Sequence, residues 1–138
     1  METINHEYYV SLEVAKLLKE TGFDWEVNTC RYNSSPDKIS SNGTLTSNFN
    51  GYAFQHIAIS APTLEVAQRW LREVKMHHIF VSFLFANNHK YYVFLSRPSE
   101  KGNLECECGW IENEFNTYEE AQEAGIKKAL EIILKEKK

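Results

Sequence analysis

The stretch from Ile79 to Ser96 is apolar on both sides of its alternation. Successive strand side chains point to opposite faces, so Ile79, Val81, Phe83 and Phe85 share one face while Phe80, Leu84 and Ala86 take the other, with Ser82 polar between them. After a break at Ala86-Asn87-Asn88-His89-Lys90 that reads as a turn, Tyr91, Val93 and Leu95 fall on one side and Tyr92 and Phe94 on the other. A sheet wetted on one face shows clean apolar and polar alternation. This ribbon does not, and the pattern asks for cover above and below, from helices, a second subunit or a ligand.

Three other segments switch to a helical period, and each opens on the same chemistry. Ser11-Leu12-Glu13-Val14-Ala15, Thr63-Leu64-Glu65-Val66-Ala67 and Thr117-Tyr118-Glu119-Glu120-Ala121 place a hydroxyl where it can accept from an unpaired backbone N–H and an acid where the helix dipole is positive. Thr117 and Glu120 also form a capping box. Apolar positions then recur at helical spacing: Val14, Leu17 and Leu18; Ala67, Trp70, Leu71 and Val74; Ala121, Ala124, Ala129, Ile132 and Ile133. Gly22 suits a left-handed helix stop, and Pro62 keeps the segment before it out of the second helix. The near-regular recurrence of the caps raises a duplicated strand-strand-helix unit, but common capping chemistry explains it more simply.

Between the helices, strands are predicted over Trp25 to Tyr32, Gly51 to Ser60, Ile79 to Phe85, Tyr91 to Ser96 and Leu104 to Ile111. The segment 33–50 is rich in Ser and Asn, with Pro36 and Gly43, and reads as a long polar loop with a short strand near Gly43-Thr44-Leu45. The order is α-β-β-α-β-β-β-α. That makes an α+β domain over residues 1–138, with a mainly antiparallel sheet of about five strands and three helices.

Composition narrows the functions. Eight Phe, seven Tyr and three Trp exceed what packing alone asks of 138 residues, and hint at a docking or stacking surface. A net charge of −4 argues against general nucleic-acid binding. Three cysteines, two of them separated by one residue, are poor material for a disulfide framework and fit a reducing, cytoplasmic setting. The start Met1 to Glu7 has no export signal and no run approaches a membrane span.

Stock catalytic patterns are missing: no glycine loop for phosphate, no G-x-S-x-G elbow, no H-E-x-x-H. Cys106-Glu107-Cys108 puts two thiols on one strand face, but a zinc site wants four ligands and no second pair exists, so no metal or other cofactor is expected. His77 and His78 are adjacent and face opposite ways, while His56, placed on a strand face with Tyr52 and Phe54, reads as a contact residue or a satisfied imidazole. Arg69 and Arg72 share one side of the second helix and could receive an anion; the plainer reading is a solvated face with Arg69 paired to Glu65 or Glu73.

The strings Tyr9 to Phe23 (YVSLEVAKLLKETGF), Ser60-Ala61-Pro62-Thr63-Leu64 through Trp70-Leu71-Arg72-Glu73-Val74, and Tyr118-Glu119-Glu120-Ala121 through Ala129-Leu130-Glu131 resemble a family of short uncharacterised proteins carried by phages, prophages and other mobile elements of gut Bacteroidales. The matching motifs are helix-forming patterns. The resemblance implies a mobile-element origin and a cytoplasmic host setting, and it brings no functional residues with it.

The expectation is a small non-enzymatic binding protein that docks a protein or a small anionic ligand through an aromatic sheet surface. Its contact residues are Tyr52, Phe54, His56, Arg69, Arg72, Tyr91 and Tyr92. A homodimer would supply the missing sheet cover without another partner. The other expectation is a small hydrolase or nuclease using a strand histidine, His56 or His78, with a carboxylate.

Overall fold

The computed structural model describes residues 8–84, 90–98 and 106–136. The first helix, α1 (Leu12–Thr21), starts where the Ser11 hydroxyl accepts from Val14 N at 3.2 Å. It stops at Gly22, whose φ of 98° is a left-handed conformation that costs glycine nothing. Three short strands follow, β1 (Thr29–Tyr32), β2 (Ser40–Ser41) and β3 (Ala58–Ser60), in an antiparallel sheet of order β2-β1-β3. The Thr63 hydroxyl caps α2 (Leu64–Val74) by accepting from Val66 N at 3.2 Å. An antiparallel meander of β4 (His78–Leu84), β5 (Lys90–Pro98) and β6 (Cys106–Phe115) comes next, then α3 (Tyr118–Glu136). Thr117 Oγ1 accepts from Glu120 N at 3.1 Å, while Glu120 reaches back to Asn116 N at 3.4 Å.

The protein is thus α+β with three helices, as the patterning predicts, but six described strands divide between two sheets and the order is α-β-β-β-α-β-β-β-α. The extra strand is β2, formed at Ser40–Ser41 and not near Gly43 to Leu45. Both halves run helix then three strands, yet β2-β1-β3 and β4-β5-β6 differ in strand order, so the common caps do not signal a common topology. The expected strand over Trp25 to Tyr32 shortens to Thr29–Tyr32, with Val27 joined only by an isolated bridge to Ser47.

The expected strand over Gly51 to Ser60 is the larger correction. Tyr52–Phe54 form a 3-10 turn and only Ala58–Ser60 pair as a strand. The chain turns because Gln55 N donates to Tyr52 O and Ile57 N to Phe54 O, and His56 takes a φ of 68°. Phe54 turns inward onto Phe49, ring centroids 4.8 Å apart. The polar loop before it is anchored: Asn50 Nδ2 donates to Phe23 O, and Asn50 Oδ1 accepts from Ser60 N, both at 3.0 Å.

The core gathers Trp70, Phe23, Phe49, Leu18, Leu64 and Leu71 around α1 and α2, with Phe23 edge-on to Trp70 at 5.4 Å. Helix α3 lies between this half and the meander, touching α1, α2 and all three meander strands. Its approach to the meander is close. A Cβ at Gly125 would stand 2.7 Å from Ile79 Cγ2 and 2.8 Å from Val93 Cγ1, so glycine is what this contact requires. Among the described residues no helix is long and apolar enough to cross a membrane.

Candidate functional site

Directly opposed residues of an antiparallel pair lie on the same face, and the unbroken β4–β5 register divides the side chains of those two strands, while the β5–β6 register shifts between Tyr91 and Val93. Ile79 opposes Leu95, Val81 opposes Val93 and Phe83 opposes Tyr91, while Val93 opposes Ile111 on the next strand. This set faces α3, and Ile79 and Val93 are buried. On the other face His78 opposes Ser96, Phe80 opposes Phe94, Ser82 opposes Tyr92 and Leu84 opposes Lys90. That face has no described helix over it. Phe80 stays 51% exposed and Leu84 44%. Among the described residues, the chain's own helices therefore supply cover on one side only.

The open face has an aromatic centre and a polar rim. The His78 imidazole stacks on Phe80 at 6.4 Å, and Phe80 meets Phe94 at 6.2 Å. Tyr92 OH donates to Glu114 Oε1 at 3.1 Å, and Lys90 Nζ to Asn116 Oδ1. A cross-strand pair of rings suits a sheet energetically, but with Phe80 exposed and Phe94 half-buried this one offers an apolar contact that water solvates poorly.

The seven contact residues named from sequence do not converge here. Tyr52, 91% exposed, stands with Phe54 and His56 in the loop beside the small sheet, so the three are not residues of one strand face. Arg69 and Arg72 line a cavity of about 350 Å³ with Glu65, Val66, Gln68 and Tyr118. There the Arg69 Nε edge is held by Glu73 at 3.2 Å, and its guanidinium lies 5.7 Å over the Trp25 ring. Tyr91 belongs to the covered face, edge-on to Phe83 at 4.8 Å and to Tyr118 at 6.2 Å. Tyr92 alone sits on the open face. The side chains missing from the sequence-based set are Phe80, Leu84, Phe94 and His78. The signal that finds them is the period-two pattern itself, which separates adjacent Tyr91 and Tyr92 and joins Phe80 with Phe94.

The described histidines do not form a catalytic arrangement. His56 is exposed on its loop, His78 stacks on Phe80, and His77 is buried, its pKa pushed down by burial and by the nearby Arg97. Among the described residues none of the three pairs with a carboxylate. His6, His89 and the expected turn over 86–89 lie outside the described residues, as do the side chains of Cys106 and Cys108. Cys30 is buried in β1, and burial pushes its thiol pKa up although a hydrogen bond with Tyr32 works the other way. Among the described residues no group of three potential ligands could hold a metal ion. Compared with family models, curated proteins and solved structures, the chain matches none.

Proposed function

We propose that the protein is a small, non-enzymatic binding protein of a phage or other mobile element, which works in the host cytoplasm and docks a protein partner through the open face of its meander sheet. The observation that carries this reading is the Phe80–Phe94 pair on a face without a covering helix. Apolar surface of this kind costs free energy when wet, and a polar rim such as Tyr92 with Glu114 is the usual frame of an interaction surface. The resemblance to mobile-element proteins supports the setting. A second copy of the chain is one partner that could take this place.

Native mass spectrometry of the protein purified from its host lysate tests the reading, with Phe80→Asp as the control. The expected result is a second subunit, identical or foreign, that is lost in the variant. A monomer mass for the unaltered protein, or a bound mass indifferent to Phe80→Asp, overturns it.

A further inference from the structure

Away from the meander strands, positions 12, 16, 19 and 20 of α1 recur at helical spacing along one wall of a groove of about 430 Å³. Its other walls are Asn33, Pro36, Ala58 and Ile59. Leu12, Pro36, Ala58 and Ile59 make an apolar floor, and Lys16 and Lys19 stand exposed on the rim. From residue 12 to residue 20 the helix runs about 12 Å, at roughly 1.5 Å per residue. Among the described residues neither lysine is within ion-pair distance of a carboxylate.

Behind this groove lies a buried arginine. Arg31, the cross-strand partner of Ile59, is only 6% exposed. Its Nη1 donates to Pro36 O at 2.8 Å and its Nη2 to Val10 O at 3.0 Å, so the guanidinium joins the segment leading into α1 to the turn that walls the groove. Among the described residues its Nε–H meets no acceptor. No described carboxylate is within ion-pair distance; Glu123 and Asp37 act on it only through space, while burial disfavours its charged form. A buried charge without a contacting counter-charge is costly. Among the residues that line the groove, Lys16 and Lys19 outnumber Glu20 by one positive charge, and an anion there would offset that imbalance.

We infer that the groove between α1 and the 33–36 turn binds a small anion with an apolar body, the chemistry of a medium-chain carboxylate. The head group lies between Lys16 and Lys19, and the hydrocarbon lies on Leu12, Pro36 and Ile59. The volume falls in the ordinary range of small-molecule sites. This site is separate from the sheet face and does not depend on the docking reading.

The test is titration of the full chain with sodium octanoate, followed by amide NMR, with acetate and octylammonium as companion probes. Octanoate is expected to shift Lys16, Lys19, Asn33 and Ile59 amides saturably. Acetate lacks the body and octylammonium the charge, and each should bind at least tenfold more weakly. Lys16→Glu with Lys19→Glu, both on exposed positions that do not threaten folding, should weaken octanoate at least tenfold, and Phe80→Asp should leave it unchanged. Equal response to acetate, equal response to octylammonium, shifts centred on Phe80 and Phe94, or indifference to the two lysine changes would each overturn the assignment.

Discussion

Gln122 of α3 donates through Nε2 to Oε1 of Gln68 on α2 at 2.7 Å, and Gln68 in turn donates through its own Nε2 to the Ile79 carbonyl of β4 at 2.9 Å. Gln122 is buried, so this relay of two amides satisfies polar atoms where water is excluded, and it ties two helices to the outer strand of the meander. Leucine at 122 would fill the space and strand the Gln68 oxygen. Gln122→Leu should cost about 1–3 kcal/mol in urea unfolding. The Gln68→Leu, Gln122→Leu pair should cost less than the sum of the singles, because the second change removes a group the first had already orphaned.

Gly125→Ala should destabilise, although alanine is the better helix former by about 1 kcal/mol. The added methyl would overlap Ile79 Cγ2 and Val93 Cγ1, both on buried residues that have little room to yield. Overpacking of this kind costs about 1–3 kcal/mol. Thermal or urea unfolding would measure the net loss, and in a Val93→Ala background the added cost of Gly125→Ala should shrink.

His77 gives the fold a dependence on pH. Burial, then Arg97, His78 and Lys75, hold its pKa below the ordinary value of 6.5, with Glu136 pulling the other way. Below pH 6.5 the unfolded chain takes up a proton that the folded chain resists. This residue's contribution is therefore fully present above pH 6.5, and is lost as pH falls from there through the lower, folded-state pKa. Urea midpoints measured from pH 7.5 down to 5 should decline, and His77→Gln should flatten that part of the curve.

The two faces of the meander predict opposite responses to the same substitution. Phe80→Asp places a charge on an exposed position and gives up the ring contacts with His78 and Phe94, so it should cost about 1 kcal/mol. Val93→Asp buries a carboxylate beneath α3 with no partner, and should leave the chain unfolded at neutral pH. Far-ultraviolet circular dichroism of the two variants would separate them directly.

The helices were legible because their signals are local. Ser11, Thr63 and Thr117 each act within one turn, and Gly22 needs only its own backbone to be read. The small sheet was not, because its length is set from a distance: Asn50 clamps Phe23 and Ser60 together, and Phe54 leaves the alternation to pack on Phe49. In a bare sequence, Tyr52, Phe54 and His56 look like one side of a strand. The open face followed from alternation once the covered side was known, whereas Arg31, the residue beneath the α1 groove, carries no pattern of its own. Its burial depends on Pro36 and Val10 arriving from two other segments.

The position of α3 has a consequence for synthesis. It is the last described element in chain order, yet α1, α2 and every strand of the meander rest against it. A nascent chain leaves the ribosome with Ile79 and Val93 already made and α3 not yet there to lay over them. The meander must wait without its main cover until translation delivers Gly125 and its neighbours, and in that interval it is most in need of a chaperone.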